Sequence, residues 1–204
     1  MIAIVDYGVG NLFSLLSSLK SLELEGCVSS DPEMIRRADR VILPGVGAFG
    51  DAAAKLRETG LDRVVLEQAG EGKPLLGICL GMQLLFEKGY EFGEHEGLGL
   101  LHGSIIGMEG TIPPGLKIPQ MGWNALIQKR PHPLLKSVKE GDCVYFVHSF
   151  YATDCEESLI ATAEYGIEVT AAVARDNVMG CQFHPEKSGK VGLGILSAFA
   201  EIPA

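Results

Sequence analysis

The chain has 204 residues, is 47% hydrophobic and 21% charged, and carries a formal net charge of −9 with a pI near 5.0. That length suits one domain spanning 1–204. No cluster of Lys and Arg supplies a nucleic-acid footprint, no apolar run reaches the ~20 residues of a membrane span, and the start Met1-Ile2-Ala3-Ile4-Val5-Asp6 lacks a basic leader. A cytoplasmic protein is therefore expected, with small-molecule or protein partners and no nucleic acid or membrane.

Short apolar runs near Ile2–Val5, Val41–Leu43 and Pro74–Ile78 alternate with helical patterns, the mark of βαβ units around a parallel sheet. The segment from Asn11 to Leu22 carries Leu12, Leu15, Leu16 and Leu19 at helical spacing, with Asn11 as its expected cap, and Asp51-Ala52-Ala53-Ala54 reads as a second capped start. The loop Asp6-Tyr7-Gly8-Val9-Gly10-Asn11 has the first spacing of a dinucleotide fingerprint, but Phe13 stands where its third glycine belongs, so a plain strand-to-helix turn is the simpler reading. The second half changes character, with β-rich runs at Trp123–Gln128, Cys143–His148, Leu159–Glu164, Glu168–Ala174 and Val178–Phe183 and a closing helix over Gly189–Glu201. The fold class expected is α/β: a mixed, mostly parallel central sheet flanked by helices.

Chemistry concentrates in Gly77-Ile78-Cys79-Leu80-Gly81, which follows the strand-like Pro74-Leu75-Leu76 and opens the run Met82–Lys88, expected to be helical. G-x-C-x-G has the mechanics of the G-x-S-x-G elbow, in which small residues permit a sharp turn that lifts the central side chain above the sheet. A thiol at a helix N-terminus meets unpaired N–H groups that favour thiolate. The alternative is a buried core cysteine, since free cysteine is among the most buried residue types. The chain's five cysteines lack C-x-x-C spacing, which speaks against a disulfide framework or a zinc knuckle; no metal or cofactor is expected.

A thiolate needs a base, and the base needs an orienting group. His95, His102 and His132 lie in polar or Pro-rich surroundings, whereas His184 ends a strand-like run in Phe183-His184-Pro185-Glu186. Residues i and i+2 of an extended segment project to one side, so Glu186 can hold one imidazole nitrogen while the other faces Cys79. A surface turn is the competing reading of this motif. Zinc deaminase chemistry fails because its P-C-x-x-C partner is missing. An oxyanion hole would take the Leu80 N–H and a second donor, Val46 or Gly47, from the Gly-rich turn after Val41–Leu43.

Leu43-Pro44-Gly45, Gly77 to Gln83 and Phe183-His184-Pro185-Glu186, in that order over nearly the whole chain, resemble the triad-type (class I) glutamine amidotransferases, whose fold is flavodoxin-like. Cys79 to Phe86, Pro119 to Asn124 and Tyr145 to Phe150 resemble most closely the glutaminase subunits of imidazole glycerol phosphate synthases. The resemblance implies a Cys79–His184–Glu186 triad that hydrolyses glutamine to glutamate and ammonia. It also implies ammonia delivery, in histidine biosynthesis, to a (β/α)8 cyclase subunit paired with this chain as a heterodimer. By the same resemblance Gly47, Gln83, Glu91, His148, Ser149 and Phe150 would bind glutamine, and Gln120, Met121, Trp123, Asn124, Tyr145 and Lys187 would meet the partner. The sequence departs from the family at Gln120, where histidine is frequent, and at Phe150, where tyrosine is frequent. Other readings remain open: another amidotransferase or stand-alone thiol hydrolase of this fold, or a binding module with a structural Cys79. Gly45, Gly47 and Gly50 raise the further expectation that the oxyanion loop is gated by the partner.

Overall fold

The computed structural model describes residues 1–203; Ala204, the last residue of the expected 1–204 domain, lies outside them. In chain order the elements are β1 (Ile2–Val5), α1 (Leu12–Ser21), β2 (Gly26–Ser29), α2 (Pro32–Arg37), β3 (Arg40–Leu43), α3 (Phe49–Glu58), α4 (Leu61–Gly70), β4 (Leu75–Ile78) and α5 (Leu80–Leu84). They continue with β5 (Phe86–Gly89), β6 (His95–Glu96), β7 (Leu101–Gly107), β8 (Gln120–Gln128), β9 (Cys143–His148), β10 (Phe150–Thr153), β11 (Leu159–Glu164), β12 (Glu168–Arg175), β13 (Val178–Cys181) and α6 (Gly189–Glu201).

The architecture is α/β. Nine strands form one sheet in the order β2-β1-β3-β4-β13-β12-β11-β8-β9. Pairing is parallel from β2 through β13 and antiparallel from β13 to β9. A smaller sheet, β10-β7-β5-β6, lies apart. Side-chain alternation along β1 sends Ile2 and Ile4 into the core shared with Leu15 and Leu19 of α1 and Phe199 of α6; Ala3 and Val5 enter the opposite core with Ile35 of α2, Leu56 of α3 and Val65 of α4. Each fully buried Leu, Ile or Phe side chain contributes on the order of 1.5–3 kcal/mol, so helices on both faces follow from strands apolar on both faces.

Three local expectations are corrected. The helix after Cys79 stops at Leu84, and Phe86–Gly89 is β5 instead, because Phe86 pairs with Leu101 in the second sheet and is fully buried there. Tertiary pairing overrides an apolar run that reads equally well as helix. Helix α3 begins at Phe49 rather than at an Asp51 cap; the Phe49 N–H donates to Glu91 Oε2 at 2.7 Å, so a distant carboxylate does the capping. Asn11 precedes α1 as expected but makes no side-chain cap bond, its amide being directed to Glu186.

Candidate active site

Adjacent parallel strands deliver the site. The carboxyl ends of β3, β4 and β13, neighbours in the sheet, lead respectively into the Pro44–Gly47 loop, Cys79 and the Gln182–Glu186 segment. Ligands of open α/β sheets bind outside such strand ends. Cys181 is in register with Ile78, and the Cys79 N–H donates to the Cys181 carbonyl at 2.7 Å, which fastens residue 79 to the strand preceding His184.

The elbow is strained as its pattern predicts. Cys79 has φ 54° and ψ −113°, a conformation that non-glycine residues seldom adopt and that a surrounding structure must enforce. Its flanking glycines are required by close approach: a Cβ on Gly77 would stand 2.7 Å from the Gly81 carbonyl oxygen, and one on Gly81 only 1.9 Å from that of Leu43. Tyr7 braces the neighbouring loop by donating its hydroxyl to the Pro44 carbonyl at 2.8 Å; burial pushes its phenol pKa up, so it stays a donor.

His184 Nδ1 lies 2.8 Å from Glu186 Oε1, with both side chains nearly inaccessible, and the ring lines the same cavity as Cys79. Burial disfavours the imidazolium, but the interactions with Cys79 and Glu186 outweigh it and raise the His184 pKa to about 9. At neutral pH this ring therefore carries a proton beside the sulfur. The Asn11 amide donates to Glu186 Oε1 at 3.5 Å, a contact the sequence reading missed.

These groups open into a cavity of about 390 Å³ lined by Val46, Gly47, Cys79, Leu80, Gln83, Glu91, Pro119, Val147, His148, Ser149, Phe150, His184 and Lys187. Every expected oxyanion and substrate position is in that lining; Glu186 stands behind His184. The Phe150 carbonyl is a hub. It can only accept, so the His148 nitrogen 2.8 Å away, Nδ1, carries hydrogen and Nε2 is left as a lone pair, buried and without a partner among the described residues. Burial, aided by the charge of His184, pushes the His148 pKa down to about 4 against the bond to Phe150.

A prediction follows for His148. A pKa lowered on folding means that the native state resists protonation, so stability is present above the unfolded value of about 6.5 and is lost as pH falls toward about 4. His184 acts on the opposite limb, its stabilisation being complete below about 6.5 and lost as pH rises through about 9. Urea midpoints measured against pH should show His148→Gln flattening the acid limb while sparing the alkaline one. An acid limb unchanged from the parent protein would contradict this assignment.

The expected partner positions divide. Met121 and Trp123 are 63% and 56% exposed, Trp123 meets Tyr145 edge-on at 6.0 Å, and Lys187 Nζ is 5.9 Å from the Tyr145 ring centre. Gln120, by contrast, is fully buried opposite His148 in the β8–β9 ladder, donating to Asn124 Oδ1 at 3.0 Å. It supports that surface from behind and offers no face to a partner.

The model of the family described as glutamine amidotransferase class-I matches residues 3–200. The chain is 53% identical to the protein named imidazole glycerol phosphate synthase subunit HisH of Wolinella succinogenes, over 99% of this chain and all of that one. It is 51% identical to the protein of the same name from a Geobacillus species, over 99% of this chain and 97% of that one. Its fold also matches the solved structure of PurLQS from Thermotoga maritima, at TM-score 0.76 and 21% identity over 98% of this chain and 96% of that one. With its motifs, its fold and its full-length relatives in agreement, the chain belongs to the class-I glutamine amidotransferase family.

Proposed function

We propose that this chain is the glutaminase subunit of an imidazole glycerol phosphate synthase, hydrolysing L-glutamine through Cys79, His184 and Glu186 and passing ammonia to a (β/α)8 cyclase partner. The observation that carries the reading is a strained Cys79 sharing one cavity with a His184 that Glu186 holds from behind. The names and full-length similarity of the relatives favour histidine biosynthesis over other amidotransferases of this fold.

Chemically, the Cys79 sulfur attacks the side-chain amide carbonyl of glutamine, forming an S–C bond and an oxyanion. The Leu80 N–H and a donor from Val46 or Gly47 receive that charge. His184 Nε2 gives its proton to the departing nitrogen as the C–N bond breaks, releasing ammonia and leaving a γ-glutamyl thioester. The now neutral ring takes a proton from water, whose oxygen displaces the sulfur to give glutamate. Glu186 keeps Nδ1 occupied throughout, fixing which nitrogen serves as acid and base. Gly47, Gln83, Glu91, Ser149 and Phe150 hold the amino-acid end of glutamine, and the unpartnered His148 Nε2 accepts a hydrogen bond from it.

Trp123, Met121, Asn124, Tyr145 and Lys187 form the partner surface, beside the cavity that Lys187 lines. Exposed aromatic residues with a stacked cation are favoured anchors of interfaces. Trp123→Ala should weaken cyclase binding by at least about tenfold, measured by calorimetry. Unchanged affinity would remove Trp123 from the interface.

The reading as a whole is tested by mixing the chain with a barrel cyclase and assaying glutamate formation. Copurification with ammonia release supports it. Release that needs no barrel partner, or a different one, would favour another enzyme of the family, and no release under any condition would refute a glutaminase. Equal rates with and without the cyclase and its ligand would exclude gating of the oxyanion loop.

A further inference from the structure

We infer that Gln182 is a positioning residue for the nucleophile, its side-chain amide N–H donating to the Cys79 sulfur and favouring the thiolate. The inference deepens the glutaminase reading and rests on it. Gln182 is fully buried immediately after β13, with its backbone N–H bonded to the Ala171 carbonyl at 2.8 Å. Its Nε2 lies 3.9 Å from the Cys79 sulfur, the reach of a weak N–H to sulfur bond.

The orientation of this amide follows from a chain of donors and acceptors. Gln83 Nε2 sits 3.0 Å from the Phe150 carbonyl, which accepts only, so the nitrogen of Gln83 must face it. The other hydrogen of that nitrogen goes to Gln182 Oε1, also at 3.0 Å. With its oxygen thus engaged, Gln182 can present only its NH2 group to Cys79. Reversing Gln83 would set its oxygen against the oxygens of Phe150 and Gln182, and reversing Gln182 would set its NH2 against that of Gln83 and its oxygen against the sulfur, leaving buried groups unpaired either way. One backbone carbonyl therefore dictates, through two side chains, that the sulfur meets a donor. A thiolate is better served by that donor than a neutral thiol is, because hydrogen bonds to ionised groups are the stronger ones. The same chain uses both amide hydrogens of Gln83 inside the protein, so glutamine in the cavity can meet only the Gln83 oxygen.

The test uses the chain complexed with its cyclase. Gln182→Met keeps length and volume but lacks the donor, and is expected to lower kcat about tenfold while KM changes less than about twofold. The rate of Cys79 alkylation by iodoacetamide, followed on the peptide containing residue 79, should have its pH midpoint raised by about one unit. Gln182→Glu retains an acceptor for Gln83 and sets a carboxyl oxygen against the sulfur; it should raise the midpoint further, and it serves as the readout should the methionine variant not fold. Alkylation profiles and kcat matching the parent protein in a folded variant would overturn the inference. The two readings fail separately: a parent complex releasing no ammonia from glutamine refutes the glutaminase, whereas an active parent with unmoved variants refutes only the role of Gln182.

Discussion

Cys79→Ala is expected to lower glutamine-dependent ammonia release by at least about a thousandfold, because it removes the thiol at the strained elbow that would carry the acyl intermediate. The substitution removes one sulfur and leaves the backbone in place, held by the Cys79 N–H to Cys181 carbonyl bond and by the Gly77 and Gly81 contacts. The variant should therefore fold and still bind the cyclase. Synthesis by the complex from added ammonium salt should survive, since that route bypasses the amide-cleaving site. Measuring both activities on one preparation separates lost chemistry from lost structure. Persistent ammonia release would mean that another group is the nucleophile.

The largest structural effect is expected at Gly81. A methyl group there meets the Leu43 carbonyl oxygen at 1.9 Å, its carbon at 2.7 Å and the Pro44 carbonyl carbon at 3.0 Å. All three are backbone atoms, which cannot swing aside as a side-chain end does. Relief requires α5 to move away from the end of β3, taking the Leu80 N–H out of line with the Val46–Gly47 loop. Gly81→Ala should cost about 3 kcal/mol or more, a fall in Tm of about 6–12 °C for a chain of this size, and should lose glutaminase activity as well. Gly47→Ala is the comparison: nothing lies within 4 Å of its added Cβ, and its φ of +98° leaves only backbone strain. A cost of about 1 kcal/mol is expected there. Thermal unfolding of the two variants side by side decides the matter, and equal, small shifts would contradict a close-packed elbow.

How much of this was visible in the sequence depended on distance along the chain. The elbow is local, carried by two glycines around Cys79, and the His184–Glu186 pair spans a single proline, so both could be read directly. What joins them is the parallel pairing of β4 with β13, about a hundred residues apart, which no local pattern encodes. The missed contacts have the same origin. Gln182 interrupts the apolar run Val178–Phe183 with a buried amide, a signal that a polar partner waits nearby, but only the fold brings Gln83 and Cys79 to it. Asn11 looked like a helix cap because asparagine favours that position, but its side-chain oxygen takes no N–H of α1 and its amide nitrogen donates to Glu186. The strand β5 was hidden in an apolar stretch whose periodicity suits a helix equally, until pairing with β7 decided it. Gln120 was expected at the partner surface only by resemblance, and alternation along β8 turns it toward the core.

The most direct measurement is labelling with a glutamine analogue whose amide is replaced by a diazoketone, applied to the chain bound to its cyclase and followed by peptide mass spectrometry. The account predicts one equivalent of label on Cys79, prevented by excess glutamine and accompanied by loss of ammonia release. Label on a different residue, or inactivation that leaves the Cys79 sulfur unmodified, would contradict it.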